Sequence, residues 1–118
     1  MIADLIHKLQ TEPTSVSFDE VIQAIETAYE YQPVTFNNGL GEEMITNTAG
    51  TNEGSCKIFA FALLHGLTQQ QTLHCFGNYY REDVLTKEDG SDHPNIRLFI
   101  KYGWQGIDFN ETPLLVKF

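Results

Sequence analysis

Two groups of residues have types and spacings that could do chemistry. The first is built on Cys56, which in "NEGSCKIFAF" follows Gly54 and Ser55 and opens an apolar run. Amide dipoles at a helix N-terminus stabilise a thiolate and lower its pKa, which makes the thiol a better nucleophile. A cysteine-dependent hydrolase or acyltransferase on that plan needs a base, and His74 or His93 could supply it, with Asn78, Asp92 or Asn95 as orienter. His65 could not, because nine residues of helix place it about 13.5 Å along the axis and on the opposite face. The second group is a polar stripe of His74, Asn78 and Arg81 at i, i+4, i+7, followed by the loop residues Asp92, His93, Asn95 and Arg97. Its two arginines could hold a carboxylate or phosphate while a histidine moves protons. Asn52 and Glu53, at the start of the apolar segment, join this set as candidate ligand contacts.

Each reading has a plainer competitor. At 100° per residue Cys56 shares a face with Phe59, Ala60, Leu63 and Leu67, the most apolar stripe of the chain. Unpaired cysteines are among the most buried residue types, and burial raises the thiol pKa, so a core role is favoured over catalysis. The polar stripe has a competitor in a solvated face whose arginines pair with nearby carboxylates. Cys56, His74, Cys75 and His93 are all metal-ligand types, but no close C-x2-C or H-x3-H pair occurs. "DGSD" lacks the ligand series of a calcium loop. Neither a metal nor another cofactor is expected.

Composition narrows the partners. Sixteen acidic against seven basic residues give a formal charge of −9, so a nucleic acid would be repelled and is not expected as a partner. An anionic membrane is not expected either, since no polybasic run and no apolar stretch of about 18 residues occurs. "MIADLIHKLQ" lacks the pattern of a secretory signal, which points to the cytoplasm and to Cys56 and Cys75 as free thiols. The oligomeric state is left open.

The positioning elements follow from periodicity. Ile2, Leu5, Ile6 and Leu9 mark a short amphipathic helix. Ser17 and Glu20 form a capping box that opens a helix expected to run to about Tyr31. Residues 33–51 read as a long polar connection with a tight turn at Asn38-Gly39. The segment 52–67 is apolar almost all round, as a central buried helix would be, with Gly66 to end it. Thr68 and Gln71 cap a further helix expected to continue through Gly77 to about Leu85, and His93-Pro94 starts another that Gly103 closes. Ile107 and Phe109, then Leu114, Val116 and Phe118, alternate as in a small hairpin. The expected fold is a single α+β domain over 1–118, mainly helical, with four to five helices around helix 52–67 and at most a short hairpin or small sheet.

The stretches "PVTFNNG", "AGTNEGSCKIFAFALLHGLTQQQTLHCFGNYYREDVL" and "DHPNIRLFIKYGWQGIDF" together resemble the HopJ type III effector family of bacteria, over about Phe18 to Phe109. The resemblance implies a small helical single-domain protein of unestablished molecular activity, delivered into a host cell by a type III system, and it assigns no catalytic residue. The functional expectation is therefore an effector-family protein that binds a small anionic molecule or a partner protein through Asn52, Glu53, His74, Asn78, Arg81, Asp92, His93, Asn95 and Arg97. A Cys56 enzyme and a non-enzymatic cytosolic scaffold stand as alternatives.

Overall fold

The computed structural model describes residues 2–117. Five α-helices span Ile2–Thr11 (α1), Phe18–Ala28 (α2), Glu53–His65 (α3), Gln69–His74 (α4) and Pro94–Tyr102 (α5). Five short strands, Tyr29–Tyr31 (β1), Phe36–Asn38 (β2), Ile45–Asn47 (β3), Asp108–Phe109 (β4) and Leu114–Val116 (β5), form two antiparallel sheets, β1-β5 and β3-β2-β4. The architecture is α+β and mainly helical. Among the described residues no helix is long and apolar enough to cross a membrane.

Helix α3 is the axis of the core. Phe59 on it meets Phe99 at 4.9 Å, Phe76 at 5.5 Å and Phe36 at 6.0 Å between ring centroids, which joins α5, the chain after α4 and the three-stranded sheet. Such tilted and edge-on aromatic pairs add about 0.5–1.5 kcal/mol each beyond area burial. Gly66 closes the helix in the left-handed region, with Leu67 N donating to Ala62 O and Gly66 N to Leu63 O, the bond pair of a Schellman motif. The all-round burial expected of α3 fails at this end, where Leu63 and Leu64 are half exposed on a depression shared with Phe109 and Pro113.

Three further expectations need correction. Helix α2 stops at Ala28 rather than about Tyr31, since Tyr29-Glu30-Tyr31 is extended and pairs with β5; two β-favouring tyrosines close to a proline suit a strand better than a last helical turn. The tail segments do not pair with each other: β4 joins β2, and β5 joins β1. Phe118, the last residue of the expected alternation, lies outside the described residues. Helix α4 does not run through Gly77 to Leu85. It ends at His74, Gly77 takes φ +59°, and the chain resumes as a π-helix over Tyr79–Val84. The cause is packing: a Cβ on Gly77 would lie 2.7 Å from the main-chain nitrogen of Phe18, so the chain can pass only as glycine.

The connection 33–51 carries structure of its own. It holds β2 and β3, whose pairing sets Asn38 and Asn47 inside the protein at 0% and 2% exposure. Asn95 from α5 is also buried, and the three amides bond to one another. Asn38 Nδ2 donates to Asn95 Oδ1 at 2.9 Å, Asn47 Nδ2 to Asn95 Oδ1 at 3.1 Å, and Asn95 Nδ2 to Asn47 Oδ1 at 2.9 Å. Asn52 adds a donor to Asn47 Oδ1 at 2.7 Å. A buried amide without a partner costs about 1–3 kcal/mol, so this network fixes where the starts of α3 and α5 lie relative to the sheet.

Candidate functional site

Helices α3 and α5 begin side by side, each behind a residue in the left-handed region, Asn52 at φ 50° and His93 at φ 49°, and no side chain caps either one. Between them lies a cavity of about 460 Å³ lined by Asn52, Gly54, Ser55, His93, Asn95 and the rings of Phe18, Phe76 and Tyr79, among others. A second cavity of about 450 Å³ adjoins it. Phe18 and Tyr79 line both, and the second is bounded by Thr14, Ser15, Ser17, Asp19, Asn78 and Arg81. The two form one groove across the front of the molecule with an aromatic divider.

The divider is tightly placed. Phe18 and Tyr79 meet edge to face at 5.1 Å, and Tyr79 lies 5.2 Å from the His93 ring. A Cβ on Gly54 would come within 2.9 Å of the Phe18 ring, so two glycines, Gly54 and Gly77, let Phe18 approach. His93 is held in turn by Asp83, whose Oδ2 lies 3.0 Å from Nε2.

Arg81 is a cross-link with charge to spare. Its Nη1 donates to Pro13 O at 3.2 Å and to His74 Nδ1 at 3.1 Å, and Nη2 donates to Val16 O. This ties the segment before α2 to the π-helix. Burial first, and the Arg81 charge second, hold the His74 pKa below its ordinary value, so His74 is the neutral acceptor in this contact. No carboxylate lies within ion-pair distance of Arg81 among the described residues, although Lys8, Lys57, Arg97 and Lys101 each have one. Arg97 spends its donors on Lys87 O, Glu88 O and Asp92 O and pairs with Asp92 Oδ1 at 2.5 Å, which holds the Asp92 carboxyl below its usual range.

Of the residues expected to meet a ligand, Asn52, Asn78, Arg81, His93 and Asn95 line the groove, and Glu53, His74, Asp92 and Arg97 do not. The i, i+4, i+7 spacing assumed an unbroken helix. His74 and Arg81 nevertheless meet, because the turn at Gly77 and the wide π-helix bring them together. The arginines do not share a cavity. Arg97 borders a separate depression with Val84, Leu85, Glu88 and Ile100.

Cys56 lies away from the groove. The residue is 1% exposed, its thiol meets Val34 O at 3.8 Å and the Tyr31 side chain, and burial pushes its pKa up. His74 bonds Arg81 and His93 bonds Asp83, and neither histidine is among the partners of the thiol. His65 instead meets Tyr29 Oη at 2.7 Å. Cys75 is buried too, its pKa raised to about 12 by desolvation. Among the described residues no three His, Cys, Asp or Glu side chains come together as a metal site would require.

Sequence reasoning missed Phe18, Tyr79 and Ser55 as parts of the groove, and Asp83 as the residue that holds His93. The available signal was the pair of glycines at 54 and 77, both needed for close approach to Phe18, and Gly77 for its left-handed turn too.

The family model described as HopJ type III effector protein matches residues 2–114. No curated protein matches the chain. The crystal structure of the unknown function protein VPA0580 is similar at 41% identity and a TM-score of 0.94, with 99% of this chain and 94% of that chain covered.

Proposed function

Because the chain belongs to the HopJ type III effector family, in which no activity guides the assignment, we propose that it works by binding a small anion-bearing ligand in the groove between α2, α3 and α5. Arg81 is the counter-ion. Asn78, Ser15 and Thr14 offer neutral hydrogen-bonding groups around it, and the adjoining cavity holds the rest of the ligand against Asn52, Asn95 and His93.

One observation carries this reading. In a chain with 16 carboxylates, a half-buried guanidinium on a cavity of about 450 Å³ has only carbonyls and a neutral imidazole as partners. Hydrogen bonds from a guanidinium to an anion are about twice as strong as neutral ones, so an incoming carboxylate or phosphate is the partner this site lacks. Asp19, the one carboxylate on the lining, sits on the exposed first turn of α2 and favours a compact anion that seats on the Arg81 side.

The reading places the chain's work in binding, in the cytoplasm of the bacterium or of a host cell after delivery. Burial of Cys56 argues against thiol catalysis. The test is an amide NMR titration of the whole chain with inorganic phosphate. Shifts confined to residues around Ser17, Asn78 and Arg81, lost in Arg81→Gln, are expected. A spectrum unchanged at tens of millimolar phosphate would overturn it.

A further inference from the structure

Phe18 and Tyr79 line both cavities, His93 flanks Tyr79 on one of them, and Tyr79 is the most open of the three rings. Tyr79 is 44% exposed, the most exposed aromatic ring among the described residues' large hydrophobic side chains, yet it is braced on both sides. Phe18 abuts it at 75° between ring planes, and His93 leans on it at 42°. The braces are themselves fixed, Phe18 by its approach to Gly54 and Gly77 and His93 by Asp83. A rigid aromatic surface kept open to a cavity is what a stacking partner requires, because little conformational freedom is lost when the partner arrives.

Arg81 stands two positions further along the π-helix, and both side chains line the same cavity. From this pairing of an open ring with an uncompensated cation we infer that the ligand is an aromatic anion, a planar ring bearing a phosphate or carboxylate. Its ring lies on Tyr79 and its anionic group over Arg81. This rests on the anion reading above and names the ligand class for it. Polar atoms on the ring's far side meet Asn52 and Ser55 in the adjoining cavity.

The intact chain is titrated by NMR and calorimetry with phenyl phosphate, benzoate, inorganic phosphate and phenol. Phenyl phosphate or benzoate is expected to bind at least about tenfold more tightly than inorganic phosphate, in line with stacking of a ring on an aromatic side chain. Tyr79→Ala should remove that advantage and leave inorganic phosphate within about twofold, whereas Tyr79→Phe should keep it. Tyr79 is half exposed, so both variants should melt close to the wild type. Inorganic phosphate binding as tightly as both aryl anions, or an aryl advantage that survives Tyr79→Ala, would overturn the aromatic class and leave the anion reading standing. No response to any of the three anions would overturn both.

Discussion

At Arg97 and at Arg81 a guanidinium gathers the main-chain carbonyls of an irregular segment, and the two differ in what cancels the charge. Arg97 collects Lys87, Glu88 and Asp92 carbonyls and pairs with the Asp92 carboxylate, so its loop is electrically complete. Arg81 collects Pro13 and Val16 and leans on a neutral His74. Both arginines are adjoined by a glycine, Gly90 at Arg97 and Gly77 in the turn before Arg81, and the two glycines also differ. A Cβ on Gly90 would meet the flexible end of Arg97, whereas one on Gly77 would meet the backbone of Phe18. On the proposed reading the difference separates a loop staple from a ligand site: the first is satisfied within the chain, and the second is rigid and would take one anion.

The strongest way to break this contrast is to remove the support behind the groove. Asn47→Ala strips the acceptor from Asn52 Nδ2 and Asn95 Nδ2 and the donor to Asn95 Oδ1. With the bond from Asn47 Nδ2 to Phe36 O, four hydrogen bonds go and Asn95 Nδ2 is left without its partner, while Asn95 Oδ1 keeps Asn38; at about 0.5–1.5 kcal/mol net for each bond, a loss of roughly 3–5 kcal/mol is expected. Thr86→Ala, which removes an exposed hydroxyl bonded to Glu82 O near the Arg97 loop, should stay within about 0.5 kcal/mol. Urea denaturation of both variants checks this, and equal losses would mean that the asparagines do not form a working network.

Next come the glycines. Gly77→Ala forces a left-handed backbone on an alanine and a main-chain clash, for an expected loss of about 2–4 kcal/mol. Gly90→Ala is expected to cost at most about 1.5 kcal/mol, since its backbone is not left-handed and Arg97 can swing aside, although Lys87 O at 3.1 Å must give slightly. If Gly90→Ala proved the worse of the two, the claim that the Arg81 side is the rigid one would fall.

The arginines themselves separate by ligand rather than by stability. Phosphate at about tenfold its dissociation constant should stabilise the wild type by roughly 1.4 kcal/mol. That gain should vanish in Arg81→Gln and persist in Arg97→Gln, as read by melting with and without phosphate. A gain that disappears in Arg97→Gln instead would assign the anion to the other depression.

How much of this was legible in the sequence depends on the range of the interaction. Caps are local, and both boxes, Ser17 with Glu20 and Thr68 with Gln71, form as the spacing implies. Helix α3, its Gly66 terminator and the start of α5 at His93-Pro94 were equally readable. Unreadable were events decided by a distant partner. Tyr29–Tyr31 turns to strand because β5 comes from the far end of the chain, and Gly77 breaks its helix because Phe18 passes there. The site was half legible for the same reason. Arg81 and Asn95 were identifiable by type, but the nearness in sequence that joined Arg97 to Arg81 implied a shared cavity that the fold does not provide. The asparagine network needed Asn38 and Asn47, which a single sequence presents as ordinary turn residues.

The smallest expected effect separates the two sides by pH. His74 titrates below its ordinary value because it is buried beside Arg81, so the unfolded chain takes up a proton first as pH falls. Its share of stability is present above about pH 6.5 and is lost as pH drops below that point. Asp92 is also held low, by Arg97, and its share is present above about pH 4 and lost only below it. Melting temperatures from pH 8 to 3 should therefore fall in two stages. His74→Gln, which keeps an acceptor for Arg81, should flatten the stage below pH 6.5 in part, since His65 is lowered by burial too. Asp92→Asn should flatten only the stage below pH 4. A wild type that holds its melting temperature from pH 7.5 to 5 would show that His74 takes up its proton without loss, and then Arg81 would tolerate a second cation beside it. That outcome would remove the neutral-acceptor account of Arg81 and, with it, the main contrast with Arg97.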